Sequence, residues 1–125
     1  MPAYDSFLFK PPAPAAFVSL LNLKNGLEKS NVPMLLDTGA DLTLVPKFAV
    51  EYLGLDFSQS SEVRLETLEG NKSVAQAVEL QITFANEKFQ AKFPLIEQDY
   101  GVIGRNILND FRIEFDGLNL WWKIL

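Results

Sequence analysis

MLLDTGADLTLVP, residues 34–46, is the stretch on which the fold turns: an apolar run stops on Asp37, takes a tight corner at Thr38-Gly39, and resumes as Leu42, Leu44 and Val45. A carboxylate buried at a strand end without partners is costly. Asp37 therefore either reaches water or stands where its charge is used. Taken alone, Asp-Thr-Gly also reads as an ordinary turn in which the carboxylate caps backbone amides and Gly39 supplies a positive φ.

The rest of the composition narrows the chemistry. A chain of 125 residues, 48% of them apolar, buries one sizeable core and is too short for two ordinary domains. It has no cysteine and no histidine, which excludes disulfides, Cys/His and Ser-His-Asp nucleophile sets and the usual zinc ligands together. Catalysis, if present, runs on carboxylates, hydroxyls, Lys, Arg or Tyr. The net charge of −5, with basic residues scattered along the chain, argues against nucleic acid as a partner. No apolar run approaches the roughly 18 residues of a membrane span, and the N-terminus lacks the basic-then-apolar layout of a secretory signal. The expectation is a protein without membrane association, cytoplasmic by default.

Outward from Asp37, the pattern is mostly β. Pro2, Pro11, Pro12 and Pro14 mark residues 1–14 as an extended, proline-rich arm whose Phe7, Leu8 and Phe9 lie on something, and residues 15–125 form the domain. AFVSLLNLK, an Asn25-Gly26 turn and NVPMLLD predict a hairpin whose second strand delivers Asp37. PKFAVEYLGL predicts a short helix, with Pro46 as a favoured first residue and Gly54 at its end. EVRLETL and SVAQAVELQITF alternate as half-buried antiparallel strands, with Val74, Val78, Leu80, Ile82 and Phe84 on one face and Glu69-Gly70-Asn71 at the tip. KFQAKFPLIE is a further strand, RNILNDF has helical spacing, and RIEFDGLNLWWKIL reads as a last hairpin around Asp116-Gly117.

The second informative segment is Val102-Ile103-Gly104-Arg105-Asn106, an apolar pair and a glycine directly before a short helix. With LLDTGADLTLV (residues 35–45) and GVIGRNIL (residues 101–108) in this order, the chain resembles the retropepsins, retroviral-type aspartic proteases with bacterial and cellular relatives. The resemblance covers residues 15–116 as architecture. It implies an all-β, mainly antiparallel, closed β domain with one or two short helices, in a retropepsin-like monomer.

It also implies an activity. Aspartic peptidases hydrolyse peptide bonds with two carboxylates that share one proton, because like charges so close cannot both ionise. One Asp-Thr-Gly per chain implies that the second aspartate is Asp37 of another copy, so the expected enzyme is an aspartic endopeptidase active as a homodimer. Its partners are a peptide or protein substrate and its own second copy, and it needs no cofactor and no metal.

By the same resemblance, Thr38, Gly39, Ala40, Asp41, Gly104 and Arg105 support the active-site loop. Thr38 hydrogen-bonds across the dimer axis, and Asp41 pairs with Arg105. Thr43 and Asn106 are hydrogen-bonding supports behind that loop. Leu42, Leu44, Tyr100 and Val102 line the substrate pocket, and Leu68, Glu69, Gly70 and Asn71 form the tip of a flap that closes over substrate. Bland readings stand beside these: a surface ion pair for Asp41 and Arg105, plain core for Leu44, and an exposed hairpin for the flap.

The chain departs from the viral pattern in three places. Its flap tip holds a single glycine, its helix after Pro46 points to the bacterial and cellular branch, and its tail runs on to Leu120-Trp121-Trp122-Lys123-Ile124-Leu125. Adjacent tryptophans on a strand face opposite sides, which makes one of them a candidate for burial in a partner chain. The alternative function is a non-catalytic peptide-binding or dimerisation module that keeps the protease fold. A small-molecule β-barrel binder leaves residues 102–106 unexplained.

Overall fold

The computed structural model describes residues 2–55, 61–66, 70 and 72–125. In chain order the elements are β1 (Tyr4–Asp5), β2 (Ala13–Leu21), β3 (Glu28–Leu36), β4 (Val45–Pro46), α1 (Lys47–Tyr52), β5 (Ser61–Glu66), β6 (Lys72–Phe84), β7 (Glu87–Ile96), β8 (Gly101–Ile103), α2 (Arg105–Leu108), β9 (Ile113–Asp116) and β10 (Trp121–Ile124). The main sheet runs β4-β7-β6-β2-β3-β8, with β1 added to β2 and β5 added to β6, while β9 and β10 form a separate hairpin. All pairings are antiparallel except β3 with β8 and β4 with β7.

Period-2 alternation sets the core. On β2 and β3, Ala16, Val18 and Leu20 and then Val32, Met34 and Leu36 point inward. They meet Val78, Leu80, Ile82 and Phe84 of β6 and Phe93 and Leu95 of β7. Val50 and Leu53 cover one side of this cluster, and Ile103 and Ile107 another. The β6–β7 turn is Ala85-Asn86, both at positive φ (52° and 64°), a two-residue loop that matches the twist of the flanking strands.

The β2–β3 turn is tied to the helix. Asn22 Nδ2 and Asn25 Nδ2 both donate to Leu53 O at 3.0 Å, satisfying a carbonyl that the end of α1 leaves free. Pro46 is the residue before the helix, with extended backbone (φ −71°, ψ 132°), and Lys47 is the first helical residue. At the other end of the chain, Asp116 accepts Asn119 N and Asn119 Nδ2, and these bonds hold its carboxyl below the ordinary carboxylate value.

Several expectations change. The strand pairing does not close into a barrel: β4 and β8 end the path, and they meet only at the isolated Leu44–Val102 bridge. A β4 of two residues is too short to continue the ladder. Val74 is not a core residue but 60% exposed, because β6 there has run past the other layers and pairs only with β5. Trp122 is buried within its own chain, where Nε1 donates to Ala15 O at 3.1 Å and the ring stacks on Phe84.

Residues 2–5 are also stitched in. Trp122 N donates to Pro2 O at 3.0 Å, Tyr4 N donates to Leu120 O at 2.8 Å, and Tyr4 and Asp5 pair with Pro14 and Ala13.

Candidate active site

Asp37 stands where β3 ends. The parallel β3–β8 register sets Met34, Leu35 and Leu36 opposite Gly101, Val102 and Ile103, and Asp37 N extends that ladder by donating to Ile103 O at 3.0 Å. The chain then turns: Gly39 N donates to Asp37 Oδ1 at 2.9 Å and Ala40 N to Asp37 O at 3.2 Å. The carboxylate thus caps its own corner with one oxygen. Thr38, Gly39 and Asp41 are exposed around it.

Four residues later the chain crosses to the far side of β8. Leu44 N donates to Val102 O and Val102 N donates back to Leu44 O, both at 2.8 Å, so β8 lies between β3 and the returning loop. That crossing requires glycine twice. A Cβ on Gly104 would lie 2.5 Å from Leu42 O and 2.9 Å from Ala40 O, both backbone atoms that the loop cannot move cheaply. A Cβ on Gly101 would lie 2.5 Å from Leu44 O and would overlap the Met34 side chain.

Side chains lock the crossing from behind. Thr43 is fully buried; its Oγ1 donates to Asn106 Oδ1 at 2.7 Å and accepts Gly104 N at 3.1 Å. A buried hydroxyl with both capabilities used costs little to bury and fixes two segments sixty residues apart in sequence to each other. Arg105 N donates to Ala40 O at 2.8 Å, Arg105 Nη1 donates to Thr38 O at 2.8 Å, and Nη2 pairs with Asp41 Oδ1. With side-chain exposures of 43% for Arg105 and 82% for Asp41, the ion pair itself is screened by water. The guanidinium acts mainly as a brace, joining the backbone of one residue to the carboxylate of another.

Of the residues that the sequence assigns to a pocket, Val102 and Leu44 fall on one row. Register places Ala15, Leu35, Val102 and Leu44 side by side across β2, β3, β8 and the residue before β4. Directly paired residues point to the same face, and this is the face opposite the core, since Met34, Leu36 and Ile103 point inward. Val102 is only 7% exposed, Leu44 is half-buried, and Leu42 lies more open at 37%. Asp37 follows two residues past Leu35, just beyond the end of β3, and Tyr100 stands in the bend two residues before Val102.

Leu35, which the sequence analysis does not single out, pairs with Val102 in this row. The apolar run from Val32 to Leu36 gives no alternation by which to tell its outward member from its inward ones.

The hairpin assigned as a flap is present as β5 and β6, paired from Ser61–Ala77 to Glu66–Lys72, with Gly70 at φ +81°. Leu68, Glu69 and Asn71 lie outside the described residues. A separate open concavity of about 450 Å³ lies between α1 and the turn after β7, lined by Lys47, Phe48, Glu51, Glu97, Gln98 and Asp99. It does not include the Asp37 loop. Among the described residues, no group of three His, Cys, Asp or Glu is placed to hold a metal ion, and no helix is long and apolar enough to cross a membrane.

Three comparisons with known proteins bear on this geometry. No curated protein matches the chain in sequence. Among solved structures, the fold is similar to that of EIAV protease complexed with the inhibitor HBY-793, with a TM-score of 0.59 over 78% of this chain and 86% of that one, at 18% identity. The sequence model of a family described as aspartyl protease matches residues 22–107, a span that holds both the Asp37 loop and the β8–α2 crossing. The chain belongs to that aspartyl protease family, in its retropepsin-like form.

Proposed function

We propose that the protein is an aspartic endopeptidase whose reacting groups are two Asp37 carboxylates, one from each protomer of a homodimer. The observation that carries this reading is the placement of Asp37: a half-buried carboxylate, braced from behind, just past the strand end that sets Leu35 beside Val102 and Leu44. One protomer supplies one such carboxylate. A two-fold axis beside Thr38 and Gly39 brings a second to it, and the exposure of those residues leaves room for a partner.

The chemistry follows from the pair. With one proton between them, the ionised carboxylate takes a proton from a water as its oxygen attacks the peptide carbonyl carbon. The protonated carboxyl gives its proton to the carbonyl oxygen, forming a neutral gem-diol. The carboxyl that took the water's proton then gives it to the nitrogen while the other carboxylate takes a proton from a gem-diol hydroxyl, so the C–N bond breaks, acid and amine leave, and the pair again holds one proton. Thr38, Gly39 and Arg105 keep the two loops in register, the apolar row receives hydrophobic side chains beside the scissile bond, and the β5–β6 hairpin closes over the substrate and excludes water.

The test is cleavage of a mixed peptide library by the purified protein from acidic to neutral pH, beside Asp37→Asn, with the oligomeric state recorded in the same buffer. Cleavage is expected to give a bell-shaped pH–rate profile whose two macroscopic values belong to the pair, with its maximum on the acidic side. Asp37→Asn should lower the rate by on the order of 10⁴-fold or more. Cleavage that survives Asp37→Asn overturns the assignment, and a folded dimer that binds peptides without cleaving any makes the protein a binding module.

A further inference from the structure

Residues 6–12, the loop between β1 and β2, have no role in the function derived above, yet among the described residues they carry an aromatic contact to the residue just before β8. The Phe9 ring meets Tyr100 edge-on, with centroids 4.7 Å apart and planes at 67°. Tyr100 directly precedes β8, two residues before Val102, so Phe9 packs at the start of the strand that carries Val102.

We propose that Phe9 is a specificity-determining residue: with Tyr100 it forms an aromatic end wall of the substrate pocket, selecting bulky apolar side chains and aromatic ones above all. This inference rests on the reading that the Asp37 face binds peptide.

The loop is built to hold a wall. Its ends are tied by the β1–β2 pairing, and Asp5 Oδ1 accepts both Phe7 N and Leu8 N at 2.8 Å, turning the chain just before Phe9. The backbone bonds of Pro2 to Trp122 and of Tyr4 to Leu120 anchor it further. The two nearby phenylalanines differ accordingly: Phe7 is 88% exposed, whereas Phe9 is half-buried on Tyr100. Two rings set edge to face leave one face and one edge free, which is the geometry a third aromatic ring packs against. Because the loop is fixed at both ends, Phe9 bounds the pocket and does not fill it.

The test uses peptides with Phe, Leu or Ala fixed at one position in otherwise degenerate sequence, cleaved by the wild type, Phe9→Ala and Phe9→Leu. The preference for Phe over Ala, as a ratio of kcat/KM, should fall roughly tenfold in Phe9→Ala, with the Ala peptides little changed and Phe9→Leu keeping most of the preference. The same peptides, labelled, are bound to Asp37→Asn with and without Phe9→Ala, where the loss of discrimination should reappear in Kd.

An unchanged preference in Phe9→Ala overturns the inference while leaving the protease reading intact. A uniform rise in cleavage of all three peptide classes also overturns it, since Phe9 would then be an occupant of the pocket. If the wild type cleaves nothing, the protease reading fails and the binding arm still decides the role of Phe9. Absence of both cleavage and binding overturns the two together.

Discussion

Two regions of the molecule are opposites in how they are held. The Asp37 corner is tied to β8 and α2 by backbone bonds from Asp37, Leu44, Val102, Arg105 and Asn106, by two glycines at close approach, and by Thr43 buried between the layers. Among the described residues, the β5–β6 hairpin beyond Ala77 pairs with no third strand, and Val74 stands 60% exposed on it. The Asp37 carboxylate therefore sits on an over-determined corner, whereas the segment assigned to cover it projects with little packing among the described residues. Local stability follows from buried contacts and protected hydrogen bonds, so the corner belongs to the most stable part of the chain and the hairpin end to the least.

Breaking the corner should have the largest effect. Gly104→Ala drives a Cβ into the backbone of Leu42 and Ala40, and overpacking of this kind costs about 1–3 kcal/mol or more. Chemical denaturation should show that loss, with cleavage falling further than the folded fraction does, because Asp37 and Arg105 move with the loop. Next comes Thr43→Val, similar in shape but unable to accept from Gly104 N. It leaves a buried amide without its partner at a cost of about 1–3 kcal/mol, read as a lower denaturation midpoint with unchanged slope. On the hairpin, by contrast, Val74→Thr should change stability by about 0.5 kcal/mol or less. A loss there as large as that of Thr43→Val would mean that the hairpin is packed as firmly as the corner.

How far these regions were legible in the sequence follows the same division. Asp-Thr-Gly after an apolar run and Ile-Gly before a helix are local signals, and the steric need for Gly104 is what makes the second of them recognisable. The pairing of Asp41 with Arg105 came through resemblance, and so did Thr43 and Asn106 as hydrogen-bonding supports, but not their bond to each other, because contacts across sixty residues leave no local pattern. Alternation placed β6 correctly from Val78 to Phe84 but says nothing of where a strand outruns its neighbours, hence Val74. Barrel closure was not legible either, since it depends on how many residues β4 and β8 can pair at the seam, and only Leu44 and Val102 do so. The loop of residues 6–12 was masked by its prolines, which signal extended backbone and carry no information about which ring Phe9 meets.

Sharing of one active site between two chains is tested most directly by mixing subunits. Wild-type protein and Asp37→Asn are combined in rising proportion at constant total concentration, allowed to exchange, and assayed on one cleaved peptide. If each site needs Asp37 from both protomers, the rate falls as the square of the wild-type fraction, to about one quarter in an equal mixture. A linear fall, to about one half, would mean that a single Asp37 suffices and would contradict the shared site.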